Sequence, residues 1–454
     1  MQKILKEIIE MNNSDITTET KGSDTNATET KAETTTETAT VDTNEETTTV
    51  VEDNPQNDDF GLKYIDKDFL YECMSVPTHS KEELRMVVFI ILWARRNNIK
   101  YEFDKYGNVY LTKGELAENE YYPCVTSHLD TVQTKHVPYI KANVPLDIIT
   151  TRIVKNEKTY HKMAIDAKGG SSIGIGADDK GGVAICLSIF SHVDKLKACF
   201  FLDEETGCNG SKNLDEEWFK NVGYVIGFDS PELTRAAWSC SGTKLFSYKF
   251  YEEHMKEICD KWGLTKGHFF SEPFTDVKNI REKIGLICMN FGNGGYEAHQ
   301  STEYCLAEEM DSACGMGTEL IQSIGCTRHY LEHKSSFGAT TYTRQADGTY
   351  AAAENDEAKL RELGDNNRYS SRYYGGTAST YKPTTTVSSV ATVKKEDEIK
   401  FETVKYIVNR YESHIDGIKN DVLDAIEELC KTKGIDFADF EKAINLEFSN
   451  EIKF

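Results

Sequence analysis

Five short segments of this chain end in residue types that hold divalent cations: Thr126-Ser127-His128-Leu129-Asp130, Gly176-Ala177-Asp178-Asp179-Lys180-Gly181-Gly182, Asp203-Glu204-Glu205-Thr206-Gly207, Gly227-Phe228-Asp229 and Gly295-Tyr296-Glu297-Ala298-His299. Imidazole and carboxylate donors together suit zinc, with manganese or cobalt as substitutes. Two such cations about 3.5 to 4 Å apart need a bridging carboxylate, an outer carboxylate and a histidine for each, and a shared water. One further carboxylate, beside the water and not on a cation, must take the water's proton. The adjacent glutamates can meet both needs, one side chain turned to a cation and its neighbour to the water. Asp130, two residues past His128, is placed to accept that histidine's free ring N–H.

Taken singly, each segment has a plainer reading. A His-x-Asp in a loop is structural, and Asp-Asp-Lys-Gly-Gly is a helix start with the first aspartate as cap. A glutamate pair faces solvent, Asp229 before Ser230-Pro231 begins a turn, and His299 is a surface histidine. Together the plain readings would have to account for five motifs in a fixed order, four of them at or just beyond expected strand ends. A dinuclear centre accounts for all five at once.

The elements that would position these residues can be read from periodicity. Ser80-Lys81-Glu82-Glu83 has the spacing of a capping box and predicts a helix to about residue 97, with Leu84, Val87, Val88, Ile91 and Leu92 on its apolar side. Residues 100–103 and 109–112 around Tyr106-Gly107-Asn108 predict a hairpin. Apolar runs at 124–127, 198–202, 223–228 and 285–290, separated by helical stretches such as 182–192, predict an α/β three-layer sandwich with a mostly parallel central sheet. In such sheets ligands bind beyond the carboxyl ends of the strands, where His128, Glu204, Glu205 and Asp229 fall.

Composition bounds the rest. The chain has 454 residues and a net charge of −23, which disfavours nucleic-acid and anionic membrane partners. No run of about 18 apolar residues occurs, and Met1-Gln2-Lys3-Ile4-Leu5-Lys6 reads as neither signal peptide nor membrane span. The twelve cysteines lack CxxC spacing and several sit in apolar runs, which points to a reducing, cytoplasmic setting. Residues 1–59 are rich in Thr, Glu and Asp and are expected to be a disordered acidic tail. Residues 60–333 carry the catalytic texture, 334–395 read as a flexible low-complexity linker, and 396–454 as a small helical module. No internal repeat is evident.

The motifs His128-Leu129-Asp130, Ala177-Asp178-Asp179-Lys180-Gly181-Gly182, Asp203-Glu204-Glu205-Thr206-Gly207 and His299 resemble those of the dizinc exopeptidases related to carboxypeptidase G, peptidase T and succinyl-diaminopimelate desuccinylase. The likeness runs over about residues 69–324 and includes Val76-Pro77-Thr78-His79-Ser80 and Tyr106-Gly107-Asn108. It implies that Asp178 bridges two Zn²⁺ ions, that His128 and Asp229 complete one and Glu205 and His299 the other, that Glu204 is the general base, and that the Asp178–Asp179 peptide bond is cis. Asp130 is the supporting acid in that set. The implied activity is exopeptidase cleavage of short peptides, by an aminopeptidase or a di- or tripeptidase. An N-acyl amino acid deacylase would use the same centre. From another class, a non-catalytic metal-binding scaffold or virion-like interaction module is the alternative.

One departure stands out. The family inserts a lid domain after the ligand corresponding to Asp229, whereas here residues 236–250 read as a strand, about 252–262 as a helix, and Phe274-Thr275-Asp276-Val277 already as the closing segment. In that respect the chain is similar to the single-domain dizinc aminopeptidases, which implies an open cleft that works as a monomer. Tyr296 and His268 are candidates for holding the substrate's oxygen, against ordinary packing roles for both.

Overall fold

The computed structural model describes residues 60–142, 144–165, 172–331 and 356–364, with the backbone of Thr49–Val51, Tyr342–Arg344 and Tyr350–Ala352. Apart from Thr49–Val51, the acidic tail lies outside the described residues, as do the helical module and most of the stretch read as a linker.

In chain order the main strands are β1 (Thr49–Val51), β2 (Lys100–Phe103), β3 (Val109–Lys113), β4 (Tyr122–His128), β5 (Ile148–Lys155), β6 (Lys158–Ile165), β7 (Leu196–Phe201), β8 (Val222–Ser230), β9 (Ala236–Cys240), β10 (Thr243–Lys244), β11 (Phe269–Glu272), β12 (Cys288–Gly292), β13 (Gly295–Tyr296) and β14 (Tyr304–Leu306). The larger sheet has the order β10-β9-β12-β8-β4-β7-β3-β2, with β11 added on β9. Its four central strands, β12, β8, β4 and β7, are parallel, and antiparallel pairs close both edges. Every residue of β4, β7 and β12 is buried, and of β8 only Asp229 is not. Burial on both faces explains why these strands are continuous apolar runs instead of alternating ones.

The helices that cover the sheet are α1 (Lys67–Ser75), α2 (Leu84–Arg96), α3 (Ala177–Ile189), α4 (Asp276–Ile284), α5 (Ala307–Ile324) and α6 (Asp356–Leu363). Neighbouring residues of a strand point to opposite faces, and Gly227 and Phe228 show which helix lies where. A Cβ at Gly227 would come within 2.9 Å of Val277 on α4, and one at Gly317 on α5 within 2.5 Å of the Phe228 ring. Thus α4 and α5 sit on opposite faces, and the architecture is the expected α/β sandwich.

Four local differences from the sequence reading have physical causes. First, the capping box is not made. Helix α2 begins at Leu84, the Glu83 cap position makes no side-chain cap bond, Ser80 Oγ donates to Asp130 Oδ2 at 2.7 Å, and Glu83 Oε1 accepts the Asp203 N–H at 3.2 Å. Both partners of the box hold loops instead. Second, a five-stranded antiparallel sheet, β1-β5-β6-β14-β13, stands beside the main one. Its β5–β6 hairpin turns at Asn156 and Glu157, both with positive φ (50° and 64°), the backbone twist that suits a two-residue turn. Third, residues 236–250 are two short strands and the start of a helical stretch, because the chain reverses at Ser241-Gly242, where φ is 46° and 81°. Fourth, α6 buries Leu360 and Leu363, inside the stretch read as linker. Between Asp229 and Phe274, β9, β10 and β11 all join the main sheet.

Among the described residues no helix is long and apolar enough to cross a membrane. Eleven cysteines are free thiols, ten of them buried.

Candidate metal centre

Strands β8, β4 and β7 lie side by side and parallel, so their carboxyl ends open at one edge. His128 is the last residue of β4, Glu204 and Glu205 follow β7, and Asp229 is the next to last of β8. Asp178 comes from the start of α3, where its backbone is not helical (φ −86°, ψ 99°). The Asp178–Asp179 peptide bond is cis, as the resemblance implied. His299 comes from the loop after β13, in a left-handed backbone with φ 67°.

Asp178 sits between two histidines with one carboxylate oxygen toward each. Its Oδ1 lies 3.1 Å from His128 Nε2 and its Oδ2 3.1 Å from His299 Nε2. Around His128 Nε2 the second acid is Asp229, with Oδ1 at 3.5 Å. Around His299 Nε2 it is Glu205, with Oε1 at 3.1 Å. The donor atoms of His128, Asp178 and Asp229, and separately those of Asp178, Glu205 and His299, all lie within 4.8 Å of one another. Two three-donor groups sharing one aspartate are thus formed from the five residues singled out as ligands.

The motif residues that do not point into the cluster build its frame. Asp130 is fully buried. Its carboxylate accepts the Glu204 N–H at 2.9 Å, the Glu205 N–H at 3.2 Å and the Ser80 hydroxyl. The expected bond from the His128 ring goes to a different atom of the same residue. Nδ1 is 3.0 Å from the Asp130 backbone carbonyl and 3.4 Å from Oδ1. Asp130 therefore ties the histidine end of β4 to the glutamate pair. Asp179 is held by Gly182 N–H at 2.9 Å and Asn293 Nδ2 at 3.1 Å. A Cβ at Gly182 would come within 2.3 Å of that carboxylate, which accounts for a glycine there. Lys180 Nζ donates to the carbonyls of Met74 and Val76, and burial pulls its pKa down to about 8.

Glu303 carries no motif signal and was not anticipated. It is buried, and its carboxylate accepts the N–H groups of Gly176 and Asp178, each at 2.9 Å, and Gln133 Nε2 at 2.6 Å. It fixes the loop that presents Asp178. The two candidate oxygen-holding residues have other partners. Tyr296 donates to Glu309 at 2.5 Å and accepts from Lys155 at 2.9 Å, and His268 Nδ1 takes the Thr265 N–H at 3.1 Å. Neither lines the cavity at the cluster, a space of about 260 Å³ bounded by Asp178, Glu204, Glu205, Gly207, Asp229, Pro231, Phe274, Ala298 and His299.

The electrostatics are those of a cluster short of positive charge. Burial pushes Glu205 up to about 7, with the Asp178 charge adding to it. Burial also drives Glu204 well above the usual carboxylate range, and Asp229, Asp276 and Glu205 raise it further. Burial alone would lower His299, but Asp178 and Glu205 hold it up at about 11. His128 is likewise held well above the usual imidazole range by Asp130, Asp178 and Asp229, against the effect of burial. Buried carboxylates at this density are paired or bind metal. The donor set, one imidazole and two carboxylates per group, fits divalent zinc, manganese or cobalt.

No family model matches the chain. Over 190 residues it is 24% identical to the cytosol non-specific dipeptidase of Escherichia coli (strain K12), covering 38% of this chain and 35% of that protein. The chain thus spans about a third of the length of that relative. Among solved structures it is similar to aminopeptidase PepT from Bacillus cereus ATCC 10987, at 14% identity and a TM-score of 0.44, covering 58% of this chain and 100% of that one. It is also similar to the YXEP protein of Bacillus subtilis, a dinuclear metal binding peptidase from the M20 family, at 11% identity and a TM-score of 0.39, covering 57% and 99%. The chain resembles metallopeptidases, the group its motifs implied.

Proposed function

We propose that this chain is a two-metal hydrolase of amide bonds, an exopeptidase acting on short peptides, with Zn²⁺ as its working metal. The observation that carries the reading is the division of the Asp178 carboxylate between two histidines 3.1 Å away on either side, each with its own second acid. His128 and Asp229 would hold one cation, Glu205 and His299 the other, and Asp178 both. Bound there, two divalent cations polarise a scissile carbonyl and make a neighbouring water acidic enough to attack.

Glu204 is the residue left to move the proton. It borders the same cavity as the ligands without belonging to either donor group. Its buried carboxylate takes the proton of the attacking water and passes it to the nitrogen of the departing amine, the general base becoming the general acid. Asp130 holds the backbone of Glu204 and Glu205 so that the two side chains keep separate tasks. The absence of CxxC spacing in the sequence and the buried free thiols support a reducing, cytoplasmic setting. The five ligands and Glu204 all come from one chain, which supports a catalytic unit that works as a monomer.

The test is a screen of Leu-Gly, Gly-Leu and their N-acetyl forms with the zinc-loaded chain. Cleavage of the free dipeptides alone supports the exopeptidase reading, cleavage of the blocked ones alone moves the assignment to a deacylase, and no cleavage of any leaves a metal-binding scaffold.

A further inference from the structure

Phe274 is 69% exposed, the most exposed large apolar side chain among the described residues. Single apolar residues at a surface are ordinary, but this one borders the cavity that contains the metal cluster. Its neighbours are pinned. Glu272 before it is buried and bonded to Arg235 Nε at 2.9 Å, its carbonyl accepts the Ser241 N–H at 2.8 Å, and the Pro273 carbonyl accepts the Ser241 hydroxyl. Thr275 and Asp276 after it are buried again, at 1% and 3% exposure, where α4 begins. A loop anchored on both sides therefore leaves one aromatic ring uncovered at the mouth of the site. Pro231 and Ala298 complete the apolar part of the lining, and the donor residues and Glu204 form the polar part. Small-molecule sites combine such an apolar wall with a few placed polar groups.

We propose that Phe274, with Pro231 and Ala298, is the receptor for a large apolar side chain next to the cleaved bond, so that the substrates are short peptides bearing such a residue. This rests on the exopeptidase reading. A ring already held in place loses little freedom when a substrate covers it, so the buried contact is converted into discrimination.

The test compares wild type, Phe274→Ala and Phe274→Leu, all zinc-loaded and with metal content measured, on Phe-Gly, Gly-Phe and Gly-Gly. The expected result is an apolar preference in the wild type, seen as a higher kcat/KM for Phe-Gly or Gly-Phe than for Gly-Gly. That ratio should fall about tenfold or more in Phe274→Ala and be largely kept in Phe274→Leu, with metal content unchanged. Hydrolysis with no apolar preference, or with a preference that survives in Phe274→Ala, overturns the receptor and leaves the exopeptidase reading intact. If nothing is hydrolysed, that reading fails, and binding of phenylalaninol against ethanolamine, measured by calorimetry, decides the receptor separately. A preference for phenylalaninol lost in Phe274→Ala supports it, and an equal ratio in both proteins overturns it.

Discussion

Replacing Glu303 by glutamine tests whether the bridging aspartate is held by its surroundings or only by metal. In the folded chain one Glu303 oxygen accepts the Asp178 N–H and the other accepts Gly176 N–H and Gln133 Nε2. A glutamine has one accepting oxygen and a donating NH₂. Turned one way it keeps Asp178 and points its NH₂ at two donors; turned the other way it loses Asp178. At least one buried donor is left without a partner, at about 1 to 3 kcal/mol each, so Glu303→Gln should cost the metal-free fold about 2 to 4 kcal/mol. The same change loosens the loop that carries Asp178, and groups that orient metal ligands typically account for about 10- to 100-fold in affinity. Urea unfolding of the metal-free protein measures the first quantity and competition with a chelator the second. Wild-type stability together with wild-type affinity for both metals would refute the reasoning, since three bonds to a buried carboxylate would then be contributing nothing.

Glu204→Gln should keep both metals while turnover falls about 10²- to 10⁴-fold; loss of metal would instead make Glu204 a ligand. Asp178→Asn should bind neither metal tightly, because the bridge serves both, and retention of one tight metal measured by elemental analysis would count against that role. Metal affinity should rise from pH 6 to pH 8 with release of protons. Glu205, raised to about 7, and His299, raised to about 11, both hold protons in the metal-free site that a cation must displace. The sign for stability is opposite. Raised pKa values mean that the fold binds these protons more tightly than the unfolded chain, so their contribution is full below the unfolded values and is lost as pH rises through the folded ones. The metal-free chain should therefore lose stability from about pH 5 to 8 while the metal-loaded chain gains in comparison. Calorimetry in buffers of different ionisation enthalpy would show no proton release if this is wrong.

Chemistry concentrated in short motifs was legible, and so was the sheet that gathers them. His128, Glu204, Glu205 and Asp229 could be placed because buried parallel strands are unbroken apolar runs whose ends are easy to see. Asp178 and His299 could not be placed by strand ends alone, and the motif resemblance located them. Glu303 was invisible because its role comes from three donors on distant loops and not from any pattern around Gln300-Ser301-Thr302-Glu303. The second sheet was missed for a different reason. Its β13 and β14 are two and three residues long, below any periodicity, although Ile148 to Lys155 followed by Asn156-Glu157 does carry a hairpin signature. The capping box misled because Ser80 and Glu83 have the right spacing for one, and their side chains are taken by Asp130 and the Asp203 backbone.

The claim that organises this account is that two cations share Asp178 and together make the site active. Titrating the metal-free chain with Zn²⁺ while following Leu-Gly hydrolysis tests it most directly. The account predicts no activity in chelator, a rise that ends at two equivalents per chain, and full reversal when chelator is added. Hydrolysis that persists in chelator, or a chain that takes up two equivalents and cleaves nothing, would contradict it.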